Sequence, residues 1–488
     1  MATSLSPDIE AYRLMCAGRF AEALPFAERA VAGQDTCIPA HAMLATILLR
    51  LGRAVEAERV ATHALACKPG TADAYDGLAH VSMLLGRYER SNSLYRHVVT
   101  LEPGAARFWY NLASSERSFG RLAQAEAACD RAIALDRTQY PSYLLRSELR
   151  VQSEEANHVE ALQAQLSRPG IDDRARLFLG YALGKELDDL RRFDEAFRWF
   201  HEAASTRRRH LSYDVAADER KLRRIQEVFA AGAAGAARAA SPGVDSSRYI
   251  FVVGLPRSGT TLVERILLGL AGVRSNGETE NFSRALLAAA PNDSRDVFAR
   301  AAAADPDVVG GNYRKLAPAD GGEKIVEKLP MNYLYLGAIH RALPDARLVL
   351  LRRSPLDSCF AMYRTLFGDA YPFSYDLGEL ARYYVAYEAL VDHWRASFGE
   401  CIHEVCYENL VRDPAEAGAA LAQYCGLAWD PQAIQVQANA AVSLTASAAQ
   451  IRRPIYGSSS GRWRSYRVHL APLIRELRLR GGELPADA

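Results

Sequence analysis

The stretch Tyr249-Ile-Phe-Val-Val-Gly-Leu-Pro-Arg-Ser-Gly-Thr-Thr-Leu-Val-Glu-Arg-Ile-Leu-Leu268 decides the fold of the second half of the chain. It opens as an apolar, β-branched run of strand length, which predicts a buried strand. Gly254, Pro256 and Gly259 then break the run. Leu262, Val263, Ile266 and Leu267 follow at helical spacing. A strand, a Gly-rich turn and a helix N-terminus bring free backbone N–H groups and the positive end of the helix to one point, which makes an anion site.

The spacing Gly254-x4-Gly259-Thr260-Thr261 approaches the P-loop pattern GxxxxGK[ST], whose lysine reaches the β- and γ-phosphates of a nucleoside triphosphate. Here Thr260 stands at the lysine position, which argues against an ordinary kinase or NTPase. A nucleotide with a shorter anionic chain remains compatible. Working outward, Lys324-Ile-Val-Glu327 and Arg347-Leu-Val-Leu-Leu-Arg352 read as further short strands. Helices are expected over 335–343, 356–366, 377–398 and 414–425. Strands alternating with helices imply a parallel sheet covered on both faces, with ligands bound beyond the carboxyl ends of its strands.

Upstream the pattern is different. Gly18, Gly52, Gly86 and Gly120 recur every 34 residues. Five residues after each comes Ala23, Ala57, Ser91 or Ala125, and twelve after comes Ala30, Ala64, Val98 or Ala132. Small residues at these points let two antiparallel helices approach, and Gly ends the first helix where φ > 0 is needed. The period and its residues resemble the tetratricopeptide repeat. The register fades over 151–170. It returns from Leu177 to Ala196, followed by Phe200 and Ala203, with a first helix one turn too long. The basic run Arg207-Arg208-Arg209-His210 reads as a solvated helix face, with contact to an acidic peptide as the lesser option. The expected domains are a tetratricopeptide helical domain over 1–229, an Ala/Gly-rich linker over 230–247, and a second domain over 248–488. The fold class is thus an N-terminal all-α solenoid plus a C-terminal α/β, P-loop-like domain with a parallel sheet.

Bulk properties narrow the function. A net charge of +1, with 49% apolar and 24% charged residues, describes an ordinary globular chain with no global pull toward nucleic acid or a membrane surface. The 8 cysteines form no CxxC pair and no zinc spacing with histidine, which predicts free thiols in a reducing compartment. No signal-peptide pattern is seen at the start and no apolar run spans a bilayer, so a cytoplasmic protein is expected. The scattered histidines suggest no metal site.

The residues also carry a family resemblance. Phe251-Val-Val-Gly-Leu-Pro-Arg-Ser-Gly-Thr-Thr-Leu262 resembles the 5′-phosphosulfate-binding loop of sulfotransferases, which use 3′-phosphoadenosine 5′-phosphosulfate (PAPS). Arg347-Leu-Val-Leu-Leu-Arg-Arg-Ser-Pro-Leu-Asp-Ser358 resembles their second signature, which holds the 3′-phosphate. Gly277-Glu278, Glu327-Lys328-Leu-Pro-Met-Asn332, Tyr407-Glu-Asn-Leu410, Ser447-Ala-Ala-Gln450 and Gly461-Arg-Trp463 follow in the family's order. The likeness is closest to tyrosylprotein sulfotransferases and to bacterial proteins that fuse tetratricopeptide repeats to such a domain.

The resemblance implies roles. Glu278 matches the general base, and Arg257 and Lys328 match a cationic pair that stabilises charge on the leaving phosphate. Ser447 matches a serine bonded to the leaving group. Arg257, Ser258, Gly259, Thr260 and Thr261 would cradle the 5′ end of PAPS. Arg353 would pair with the 3′-phosphate, while Tyr407, Ser447 and Arg462 would also meet the nucleotide. One of the adjacent Arg352 and Arg353 is expected to be structural. No metal is implied. Where the family has a second 3′-phosphate serine this chain has Ala361, so either Ser358 substitutes or affinity is lower. Ser354 replaces the family's usual aspartate. Asp357 reads as a helix-start residue. Tyr371-Pro372-Phe373, with Tyr383, Tyr384 and Tyr387, reads as a packing stripe, with a lid or acceptor wall as the other option. The implied activity is sulfuryl transfer from PAPS to a hydroxyl, such as a protein tyrosine. The solenoid would hold a polypeptide or mediate self-association. The competing reading is a tetratricopeptide adaptor whose nucleotide-binding domain is only structural.

Overall fold

The computed structural model describes residues 6–32, 38–230, 246–319, 321–439, 441–445 and 447–487. But for its ends, the linker expected at 230–247 lies outside these residues. The chain divides into two compact units, Met1–Arg150 and Val151–Ala488.

The first unit is built from helix pairs such as Ala54–Ala66 with Ile38–Arg50, and Tyr88–Leu101 with Ala72–Leu84. The four repeat glycines have φ between +71° and +80°. Each ends a helix, and the next N–H closes the turn by donating five residues back, as in Arg53 N to Leu48 O at 2.8 Å. Ala23, Ala57 and Ala125 are fully buried between the helices, so the small residues do the packing that their spacing predicts.

The second unit contains the helices Val159–Leu166, Asp173–Asp189, Phe193–Arg209 and Val215–Val228 together with the sheet. Asp173–Asp189 has 17 residues against 13 for Ala106–Ser118, the extra turn expected from the sequence. Arg191, at φ +61°, takes the left-handed turn position that glycine holds in the first unit. These helices are tied into the unit by specific bonds. Tyr181 donates to the Tyr363 carbonyl at 3.2 Å, and Arg382 forks onto Glu219 at 2.6 and 2.8 Å. The basic run divides: Arg209 and His210 are exposed, as expected, whereas Arg207 and Arg208 are engaged within the unit. Arg208 is half-buried, forks onto Glu379 at 2.6 and 2.7 Å and donates to the carbonyls of Leu211 and Tyr213. Arg207 reaches Asp369 and the Gly368 carbonyl.

The sheet has five parallel strands in the order β2-β3-β1-β4-β5: β1 Tyr249–Gly254, β2 Val273–Gly277, β3 Lys324–Lys328, β4 Arg347–Arg352 and β5 Ile402–Cys406. β1 is central and wholly buried. Its side chains alternate between faces. Ile250 and Val252 pack with Val263, Ile266 and Leu267 of the helix Thr260–Leu268. Phe251 meets Phe282 and Tyr313 on the other face, with ring centroids 5.9 and 5.5 Å away. The loop at Gly254 thus leaves the sheet's centre at its carboxyl edge, where parallel sheets bind ligands.

Candidate active site

The loop from β1 to the helix Thr260–Leu268 is shaped by two backbone constraints. Gly254 has φ +147°, and a Cβ there would lie 2.8 Å from the Leu351 carbonyl of β4. Gly259 caps the helix at φ +109°, and a Cβ there would come within 2.6 Å of the Tyr407 ring. Between them Arg257 adopts φ +65°, a region uncommon for a side-chain-bearing residue and often found where function holds it. The turn aims Arg257 at Ser447 and Gln450. Its guanidinium donates to Ser447 Oγ at 2.5 Å and to Gln450 Oε1 at 2.8 Å.

Arg353 follows β4 and clasps the same loop. It donates to the Arg257 carbonyl at 2.8 Å and the Ser459 carbonyl at 2.6 Å, and its guanidinium lies 4.6 Å from the centre of the Tyr407 ring. Burial lowers its pKa, opposed by Tyr407 and Asp357. Its Nε is buried without a hydrogen-bond partner. Arg352 points away and pairs with Glu388 at 2.9 Å, which makes it the structural member of the two.

Glu278 is brought in by a β-bulge. β2 pairs with β3 through Ser275↔Val326 and then Gly277↔Glu327, so Asn276 is the extra residue. This one-residue slip sets Glu278, not Gly277, beside Lys328. Glu278 and Lys328 form an ion pair; the lysine side chain is fully buried and the glutamate 38% exposed. Glu264 of the helix Thr260–Leu268 stands 3.6 Å from the same ammonium and accepts from Ser275 Oγ at 2.5 Å.

These residues surround one cavity. Of the residues singled out in the sequence, Arg257, Gly259, Thr260, Thr261, Glu278, Arg353, Tyr407 and Ser447 line it. Lys328 sits behind Glu278. Ser258 is turned beneath the loop, with its Oγ buried and unpartnered. Arg462 is directed elsewhere: it donates to the carboxylate and carbonyl of Asp188, at 2.6 and 2.8 Å. Ser358 is buried and donates to the Arg353 carbonyl at 3.4 Å. Asp357 is more than a helix-start residue, since it accepts from the backbone N–H of Gly461 at 2.6 Å and of Trp463 at 3.1 Å.

Ala361 lines the cavity, and so does Arg364, which sequence reasoning missed. Three residues apart at one helix end, they share a face, and that spacing was the available signal. Burial works against the Arg364 charge, but Asp188 at 2.7 Å together with Tyr466, Tyr456 and Asp189 outweighs it, and the pKa is raised. Arg453 and Gln450 were also missed as lining residues. Phe367 and Tyr371, edge to face at 4.8 Å, form an aromatic wall on the same cavity. Burial, and next the charge of Glu278, push the Tyr371 hydroxyl up to about 12. Tyr383, Tyr384 and Tyr387 are buried packing residues. Among the described residues no His, Cys, Asp or Glu cluster could hold a metal ion, and no helix is long and apolar enough to cross a membrane.

Four arginines, a Gly-rich loop at a helix N-terminus and a lysine-paired carboxylate thus gather around one cavity of the α/β domain. Residues 249–431 match the sulfotransferase family, and residues 14–81, 106–139 and 182–214 match the tetratricopeptide repeat. The chain therefore carries a sulfotransferase-family domain together with tetratricopeptide repeats. An uncharacterized protein of Aquifex aeolicus (strain VF5) is 28% identical over 334 residues, covering 65% of this chain and 44% of that protein. The match thus spans less than half of that relative's length. A putative protein-tyrosine sulfotransferase of Caenorhabditis briggsae is 27% identical over 195 residues, covering 38% of this chain and 68% of that protein. Among solved structures, the sulfotransferase domain of the Synechococcus PCC 7002 olefin synthase is similar at a TM-score of 0.36 and 18% identity, over 49% of this chain and 95% of that domain.

Proposed function

We propose that the second unit transfers a sulfuryl group from PAPS to a hydroxyl acceptor, with protein tyrosine the first candidate. The observation that carries this reading is the convergence of Arg257, Thr260, Thr261, Arg353, Glu278 and Ser447 on one cavity. The chain's own residues fit the cofactor. Gly259, Thr260 and Thr261 bring a helix N-terminus to the cavity, and Arg257, Arg353, Arg364 and Arg453 supply positive charge for an anion with several phosphate or sulfate groups.

When bound, PAPS supplies the sulfuryl group. Glu278 takes the proton of the acceptor hydroxyl. Arg257 stabilises negative charge as it develops on the leaving oxygen, with Lys328 adding positive charge from behind Glu278, and Ser447, bonded to Arg257, would donate to the same oxygen. Phe367 and Tyr371 offer an aromatic ring an apolar wall beside Glu278, which favours a phenol. The relative named a putative protein-tyrosine sulfotransferase supports the same choice. The repeats of the first unit hold a polypeptide partner, the usual work of a solenoid. The free cysteines suit a reducing, cytoplasmic setting.

The test uses labelled PAPS with tyrosine-bearing peptides, and the desulfated nucleotide in thermal-shift assays. Wild type should transfer label and be stabilised by the nucleotide, while Glu278→Ala should lose transfer by about 10²–10³-fold and keep nucleotide binding. Absence of both transfer and stabilisation would overturn the reading and leave the structural-adaptor alternative.

A further inference from the structure

Glu327 is a fully buried carboxylate that the chemistry above does not use. It sits on β3 directly before Lys328. Consecutive strand residues face opposite sides of a sheet, and the pairing confirms it: Glu327 lies beside Phe251, and Lys328 beside Val252. On the Phe251 face Glu327 accepts hydrogen bonds from Thr279 Oγ1, from Asn276 Nδ2 at 3.1 Å and from the Tyr313 hydroxyl at 3.2 Å. On the other face Lys328 grips Glu278.

Asn276 and Thr279 flank Gly277-Glu278, and Gly277 has φ +70°. The short turn that carries Glu278 is therefore clasped from both faces of one strand: by Glu327 on the backbone-flanking side chains, and by Lys328 on the carboxylate. A buried carboxylate is strongly destabilising unless its oxygens are bonded. Two of its donors, Asn276 and Thr279, belong to this turn, so bonds that offset burial are also bonds that fix the turn. The bulge that brings Glu278 beside Lys328 has its extra residue, Asn276, bonded to Glu327.

We infer that Glu327 is a positioning residue, which locks the Asn276–Thr279 turn and so holds Glu278 at the reacting hydroxyl. This rests on the reading of Glu278 as the base. A buried residue that only stabilised the fold would change stability and cofactor binding without singling out the chemical step.

The experiment compares full-length wild type, Glu327→Gln, Thr279→Val, the double variant and, as a separate arm, Glu278→Gln. Each is assayed with labelled PAPS and a glutamate-rich tyrosine peptide, and Glu327→Gln and Thr279→Val are crystallised with the desulfated nucleotide. The positioning variants should each lower kcat about 10- to 100-fold, the cost of an ångström-scale misplacement. KM for PAPS should stay within about twofold, because Arg257 and Arg353 are untouched. The double variant should be no worse than the poorer single one, because both remove one link. In the crystals Glu278 should leave Lys328. Unchanged kcat in Glu327→Gln, additive losses, or an intact Glu278–Lys328 pair in both crystals would overturn the inference. Should Glu327→Gln fail to fold, Thr279→Val, which removes one hydroxyl, decides alone by the same criteria. Should the peptide accept no label from wild type, the crystals decide. Full turnover in Glu278→Gln would instead remove the base assignment itself, a result distinct from failure of the positioning role.

Discussion

At the residue scale, Glu327 shows how burial becomes pH dependence. Burial raises its carboxyl from 4.5 to about 7, against the donors Thr279, Asn276 and Tyr313, which lower it. Between those values the folded protein holds a proton that the unfolded chain has released. Stability linked to this group is therefore highest in acid and is lost as pH rises through the interval, by roughly 3 kcal/mol in all. Glu327→Gln cannot titrate. Its melting temperature relative to wild type should climb from about pH 5 to about pH 8; a constant difference would show that Glu327 ionises at its ordinary pKa. Gly259 gives a second prediction. Alanine there must adopt φ +109° and meet the Tyr407 ring at 2.6 Å. Left-handed strain alone costs about 1–2 kcal/mol. Gly259→Ala should weaken binding of the desulfated nucleotide at least roughly tenfold by calorimetry, and unaltered binding would mean that the loop has room to relax.

At the element scale, legibility followed burial. β1, β3 and β4 are central, wrapped on both faces, and so read as apolar runs in the sequence. β2 and β5 form the edges. The Val-Arg-Ser-Asn-Gly of β2 is half-buried throughout and shows no run, so neither edge strand was legible. The bulge in β2 has no signature of its own, and Glu278 could be singled out only by resemblance, since its partner Lys328 lies 50 residues away. The Gly254–Thr261 loop was legible because its chemistry is local. Asp188 was not, because its partners come from distant segments. At the end of the helix Asp173–Asp189 its buried carboxylate accepts from Arg364 at 2.7 Å, Arg462 at 2.6 Å and the Tyr466 hydroxyl. That one side chain joins a repeat-like helix to a cavity-lining arginine. Asp188→Ala would leave Arg364 without its counter-charge and should cost about 3 kcal/mol of stability by denaturant titration. It should also weaken nucleotide binding, since Arg364 loses its anchor. Loss of stability without any change in binding would confine Asp188 to a structural role.

At the scale of the whole molecule, the repeat period was readable along the chain, yet the boundary of the compact sheet unit was not. Composition changes near 230–247, which marks a shift in local pattern, whereas a unit is defined by which surfaces bury one another. The helices from Val159–Leu166 to Val215–Val228 carry repeat-like periodicity and still spend their bonds within the second unit. Asp188 holds Arg364, Arg462 and Tyr466; Arg208 holds Glu379; Glu219 holds Arg382. Phe229 packs edge-on against Trp394 at 5.9 Å, and its carbonyl lies 3.1 Å from His393 Nε2. Every cavity-lining residue also falls within Val151–Ala488. A chain beginning at Val151 should therefore melt cooperatively and be stabilised by the desulfated nucleotide as full-length protein is. A chain beginning at Arg248 should lose both properties, because it uncovers the apolar faces under those helices and leaves half-buried charges such as Arg364 without their Asp188 partner. Circular dichroism melts with and without nucleotide distinguish the two. Full nucleotide stabilisation of the shorter chain would show that the sheet and its loops form the site without the preceding helices.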